Sequence, residues 1–182
     1  MKRGTFKKPK LEQVIAYRNK PRKALKRSKT PLDSSKKNKL GKGTKKKKNP
    51  IKSLKLKLWE LCKQIIRLKY RNKDGTWNCY TCGKLIDEPA KAQTGHFLAS
   101  SVCGAYLRYD LRNLRIQDYY CNINLGGNGA TFYKNLVDRE GQEYVDEIFK
   151  DKQKIIKADE WWYISKIAEY EVYLLRMQEA MQ

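Results

Sequence analysis

Two cysteines separated by two residues, Cys79-Tyr80-Thr81-Cys82, followed at once by Gly83, constrain this chain more than any other feature. Thiolates at that spacing can chelate one ion, and the glycine permits the tight turn around the sulfurs. A second pair with the same spacing, Asp118-Tyr119-Tyr120-Cys121, follows, with aspartate in place of one cysteine. Zinc takes four ligands in a tetrahedron and accepts carboxylate oxygen, so Cys79, Cys82, Asp118 and Cys121 form an allowed structural zinc set. Cys103 is the alternative fourth ligand. An odd total of five cysteines suits metal binding in a reducing compartment better than a disulfide framework. From Trp77 to about Phe132 no helical period is present. That stretch predicts small strands and loops organised by the metal, because little else in it could supply folding energy.

Helical patterning flanks this region. Ile51, Leu54, Leu58, Leu61, Ile65 and Leu68 step by three and four, which predicts an amphipathic helix starting near Pro50. Its other face carries Lys52, Lys55, Lys57, Lys63 and Arg67, suited to a phosphate backbone, and Lys73-Asp74-Gly75 ends it in a turn. Helix returns over Tyr133–Lys150, with an interruption near Gly141, and again from Asp159 to Met181. In the last stretch Tyr163, Ile167, Tyr170, Leu174, Met177 and Met181 alternate at fours and threes. Such a stripe belongs either to the core or to a helix contact between two copies.

Charge divides the chain differently. Residues 1–50 hold twenty Lys and Arg against Glu12 and Asp33, so they carry eighteen of the twenty-two net positive charges. They are poor in large apolar residues and peak in the run Lys45-Lys46-Lys47-Lys48, which predicts a disordered basic tail attracted to DNA. A short helix around Leu11–Tyr17 is the one local exception expected. The remainder is nearly balanced, which excludes a uniformly basic body. No apolar run approaches the roughly 20 residues needed to span a bilayer, and no signal-peptide core follows the first residues. The organisation expected is therefore a tail over 1–49, a basic amphipathic helix over 50–74, a metal-held core over 75–150 and a terminal helix over 151–182. The fold class is α+β.

His96 is the chain's single histidine. Alone it would be as ordinary in a structural role as in a catalytic one. It lies, however, between the halves of the cysteine site, ahead of Arg112-Asn113-Leu114 and Cys121-Asn122-Ile123-Asn124. A histidine, an asparagine before the second pair and an Asn or His after its last cysteine follow the order of the HNH nucleases; here the trio is His96, Asn113 and Asn122. The ordered set Cys79-x-x-Cys82-Gly83, Gly95-His96, Arg108-Tyr-Asp-Leu-Arg-Asn113, Cys121-Asn122, Gly127-Asn128 and Gly141-Gln-Glu-x-Val-Asp-Glu147 resembles, over about Trp77 to Phe149, the phage recombination endonucleases called NinG or Rap.

The resemblance implies a ββα-metal nuclease core that cuts branched DNA such as Holliday junctions in the cytoplasm of a bacterial host. It implies His96 as general base, since imidazole titrates near ~6.5. Asn113 would hold the loop or orient the ring, and Asn122 would offer a neutral oxygen to a catalytic Mg²⁺ or Mn²⁺. Arg108 and Arg112 would contact phosphate, and Lys45–Lys48 would add affinity. Two positions depart from the family pattern. Asp118 stands where the third zinc cysteine is usual. Gly95 stands before His96 where many HNH enzymes carry a metal-binding acid, which leaves Asp110 or Asn124 as substitutes. Two other functions share these features: a nicking or packaging HNH nuclease without junction preference, and a non-catalytic zinc module that binds DNA. Because each chain has one His96 and a junction needs two symmetric cuts, the nuclease reading favours a homodimer through the terminal stripe.

Overall fold

The computed structural model describes residues 50–181, so the expectations placed on residues 1–49, including the basic tail and Lys45–Lys48, lie outside it. The first helix, α1, spans Pro50–Lys69 and buries Leu58, Leu61, Cys62, Ile65 and Ile66, the face its three-and-four spacing marks out. It stops where Asn72, Asp74 and Gly75 build a turn. Gly75 takes φ +87°, a left-handed value, and the Asp74 carboxylate accepts from Thr76 N at 3.0 Å.

Two short antiparallel pairs follow. β1 (Trp77–Asn78) and β2 (Leu85–Ile86) flank the first cysteine pair. β3 (Ala92–His96) runs against β4 (Leu114–Asp118) in the register Ala92↔Asp118 to His96↔Leu114. All five β4 residues are buried, so this strand is covered on both faces. Leu114 and Ile116 join Ala92 and α1 in one core, whereas Arg115 and Gln117 alternate to the other side. Between the strands lie one helical turn, α2 (Ala105–Arg108), and a 3₁₀ turn, Leu111–Asn113. A π-type turn, Tyr120–Asn124, leads from β4 towards α3 (Gly129–Glu140). Gly141, at φ +89°, separates α3 from α4 (Gln142–Asp151), where the sequence places an interruption.

The final helix, α5, spans Glu160–Glu179 and is capped by Asp159, whose carboxylate accepts from Trp162 N at 3.0 Å. Its stripe Tyr163, Ile167, Tyr170 and Leu174 is buried in the same core as Leu58, Leu61, Ile65 and Ile66 of α1. These four residues of the terminal stripe are therefore covered within the subunit, whereas Met181 at its end is exposed. The two apolar stripes satisfy each other, each fully buried Leu or Ile contributing about 1.5–3 kcal/mol. A second apolar group, including Tyr80, Phe97, Phe132, Leu136, Val145 and Ile148, joins α3 and α4 to the knuckle. The molecule is α+β, and among the described residues no helix is long and apolar enough to cross a membrane.

Candidate functional site

The first cysteine turn is built by its own backbone. Cys79 N donates to Lys84 O, Gly83 N donates to Cys79 O, and Gly83 adopts φ +75°. The Asn135 side chain on α3 donates to Tyr80 O at 2.7 Å and Thr81 O at 3.1 Å, pinning the turn from outside. The π-type turn after β4 brings Cys121 to it. The sulfurs of Cys79, Cys82 and Cys121 lie within 4.8 Å of one another, Cys79 and Cys121 buried and Cys82 exposed. Burial pushes the Cys79 thiol up, but N–H groups of Cys82, Asp118 and Thr81 and the Thr81 hydroxyl overcome this and hold it below the usual thiol range. Cys121 is pushed the other way, by burial first and then by the neighbouring thiols. Three sulfurs this close cannot all ionise without a cation between them, so the donor set fits a thiophilic metal such as zinc.

The fourth ligand is not where the sequence puts it. Asp118 turns its carboxylate away from the thiols: one oxygen accepts from Tyr120 N at 2.9 Å, and the other lies 3.8 Å from Lys84 Nζ. What Asp118 gives the cluster is its backbone N–H, directed at Cys79. Cys103 is remote as well, buried with Leu107 and Phe97, its thiol directed at Leu98 O. Among the described residues, three thiols and no fourth acidic or imidazole group form the cluster.

His96 ends β3. Its Nε2 lies 2.9 Å from Arg108 O, and a carbonyl can only accept, so Nε2 carries a hydrogen and any lone pair of the ring is at Nδ1. The ring stacks on Trp59 of α1, centroids 5.0 Å apart and planes within 10°. Asn113 is fully buried and does not supply this orientation. Its Oδ1 accepts from Leu98 N at 2.7 Å, and its Nδ2 donates to Leu98 O and Leu107 O. Both donors are thus used in holding the 98–107 loop, the first of the two roles the sequence allows it.

Asn122 sits on the π-type turn, and its Oδ1 points at Gly95. A Cβ built on Gly95 would meet that oxygen at 3.1 Å and would overlap the side-chain oxygen of Gln117. Gly95 is therefore forced: no acid fits before His96 while Gln117 occupies the space. Gln117 is fully buried, a role nothing in its sequence setting announces. Asp110 and Asn124, the expected substitutes, do not take this place. Asp110 accepts from Arg112 N and from the Arg112 guanidinium, and Asn124 is exposed at the end of the turn. Arg112 itself is engaged by Asp110 at 2.7 Å and Asp151 at 2.5 Å, carboxylates with which a phosphate would have to compete; Arg108 is exposed beside His96. Arg67, expected on the outer face of α1, instead donates to Ala92 O and Pro89 O.

A groove of about 1160 Å³ lies apart from this cluster, between α4 and α5. Two of its cations are matched internally, Lys154 by Asp151 and Lys166 by Glu169.

A family model described as "Bacteriophage Lambda NinG protein" matches residues 6–178. The chain belongs to the NinG family. Among curated relatives, this NinG-family chain is 34% identical over 86 residues to Protein ninG of Escherichia phage 933W, covering 47% of the chain and 41% of the relative. It is 33% identical over 86 residues to Protein ninG of Escherichia phage lambda, with the same coverages. Over 92 residues it is 30% identical to Protein ninG of Salmonella phage P22, covering 50% and 44%. The matched stretch thus spans less than half the length of these relatives. No solved structure matches the chain.

Proposed function

We propose that this NinG-family chain is a metal-dependent DNA endonuclease that hydrolyses phosphodiesters in branched DNA such as Holliday junctions. The observation that carries the reading is the setting of His96: an imidazole at the end of β3 whose Nε2–H is tied to Arg108 O, which leaves Nδ1 as the proton-accepting atom of the neutral ring, with Asn122 Oδ1 near the preceding residue, Gly95. A proton acceptor of fixed tautomer beside neutral oxygen donors is what water-mediated phosphodiester hydrolysis asks of a protein. His96 Nδ1 takes the proton of the attacking water, the new P–O bond forms in line, and the 3′-oxygen leaves and is protonated from solvent. A divalent cation such as Mg²⁺ or Mn²⁺ would supply the charge neutralisation that this hydrolysis needs. The Asn122 oxygen is available to hold it, being a hard neutral donor. Arg108 adds a phosphate contact, and the thiol knuckle fixes the π-type turn that carries Asn122.

The test is cleavage of a four-way junction beside a matched linear duplex, with Mg²⁺, with Mn²⁺ and with EDTA. Metal-dependent cutting that favours the junction is expected, and His96→Ala should abolish it while leaving zinc content and DNA affinity nearly intact. Equal cutting of both substrates would assign a nicking or packaging nuclease. Intact binding with no cutting by the unaltered chain would leave a DNA-binding zinc module.

A further inference from the structure

We infer that Gln117 is a second protein ligand for the catalytic cation, supplying from β4 the side-chain oxygen that Gly95 cannot. The inference rests on the endonuclease reading above. Its starting point is an orphaned atom. Gln117 is fully buried, yet its Oε1 accepts no hydrogen bond. Leaving a buried acceptor unsatisfied is costly, and each native instance calls for a reason.

The amide cannot be turned over to remove the problem. Its nitrogen donates to Gly127 O at 2.8 Å and lies 3.3 Å from the Thr81 hydroxyl. Gly127 O is a carbonyl and can only accept, so the nitrogen must stay there and the oxygen must face Gly95. At Gly95 the missing side chain opens a space that Gln117 Oε1 reaches from one side and Asn122 Oδ1 from the other. A Cβ on Gly95 would stand 1.9 Å from Gln117 Oε1 and 3.1 Å from Asn122 Oδ1, so both side chains border one space, and a hard cation or its bound water there would meet the unsatisfied Gln117 oxygen. The space adjoins Gly95, the residue that precedes His96 on β3.

Both ligands are neutral. A site built from two amide oxygens keeps the full charge of its cation, which makes cation binding and DNA phosphate binding mutually reinforcing. It also accounts for Gly95. A carboxylate on residue 95 and an oxygen from residue 117 are alternatives for one place, and this chain has the second.

Mn²⁺ alone, titrated into the zinc-loaded full chain and followed by loss of the free-ion electron paramagnetic resonance signal, tests the assignment without any cleavage assay. The unaltered chain is expected to take up one Mn²⁺. Gln117→Ala should bind it at least tenfold more weakly at unchanged zinc content. Adding Gly95→Asp to Gln117→Ala should restore binding, because the vacated space then admits a carboxylate. A folded Gln117→Ala with unaltered Mn²⁺ affinity, or an unaltered chain that binds none, overturns the assignment. Should Gln117→Ala not fold, Gln117→Glu must bind Mn²⁺ at least tenfold more tightly than the unaltered chain, and equal or weaker binding overturns it. Gln117-dependent Mn²⁺ binding without DNA cutting would sink the endonuclease reading and keep the site. Cutting with Gln117-independent Mn²⁺ binding would do the reverse.

Discussion

Among the described residues Arg115 is the largest fully buried side chain, and its setting shows how much polar chemistry the small core carries. The guanidinium faces the rings of Tyr70, Tyr80 and Tyr144 at 5.3–5.8 Å and pairs with Glu140 at 2.9 Å. It also donates to Leu111 O, Arg112 O and Leu114 O. Truncation would strand those carbonyls and leave a void, so Arg115→Ala should destabilise the zinc-loaded protein by about 2–4 kcal/mol, read from urea unfolding. Glu140→Gln, at a partly exposed position, should cost well under half of that. Asn113 gives the complementary case. Because all three of its hydrogen bonds go to backbone of the 98–107 loop, Asn113→Ala should lower the unfolding midpoint, with activity falling in proportion to folded protein. Full stability with no activity would instead make it catalytic. The burial of Arg115 and Gln117 was not legible in the sequence. An Arg and a Gln alternating with Leu and Ile read as the wet face of a strand, and only the second layer of α3 and α4 makes that face an interior.

At the scale of elements, periodicity was a good guide where one partner sufficed. The α1 spacing, the break at Gly141 and the start of α5 at Asp159 all fall where the pattern puts them, since each depends on local backbone chemistry. Choice of partner was not legible: the α5 stripe fits another copy of α5 or α1 equally well, and proximity within one chain favours α1 because no association entropy must be overcome. Leu174→Glu should therefore unfold the α1–α5 pair, seen as a lowered thermal midpoint and reduced helicity, without any change in sedimentation of the folded fraction. A shift from dimer to folded monomer would return the stripe to an interface. Of the four proposed ligands the fold brings three together, Cys79, Cys82 and Cys121. Asp118 shares the spacing of a ligand, yet its carboxylate closes the turn onto Tyr120 N, a choice spacing cannot reveal. Removal of the metal by a chelator should release the first cysteine turn from Cys121 and loosen the π-type turn carrying Asn122. Circular dichroism and zinc release should then change together. Asp118→Asn should leave zinc content nearly unchanged, whereas Cys121→Ser should lower it severely.

Across the whole molecule, charge and chemistry occupy different parts of the chain. Eighteen net positive charges lie in the first fifty residues, while the exposed lysines of α1 are partly matched, Lys57 by Glu171 and Lys63 by Glu60. Deleting residues 1–48 should weaken binding to every DNA shape. The log–log salt slope should fall by about 0.9 for each phosphate that the tail no longer neutralises. A truncated chain that kept the original slope would separate the tail from DNA binding. Discrimination between shapes should persist, because flexible lysines sense charge and not geometry. The stack of His96 on Trp59 has a consequence in time. The ring lies on a helix whose apolar stripe is covered by α5, the element that follows all others along the chain. While the polypeptide is being made, β3 and the cysteines emerge before that cover exists, and the imidazole has no settled platform. The support beneath the imidazole is thus complete only when synthesis has passed Leu174.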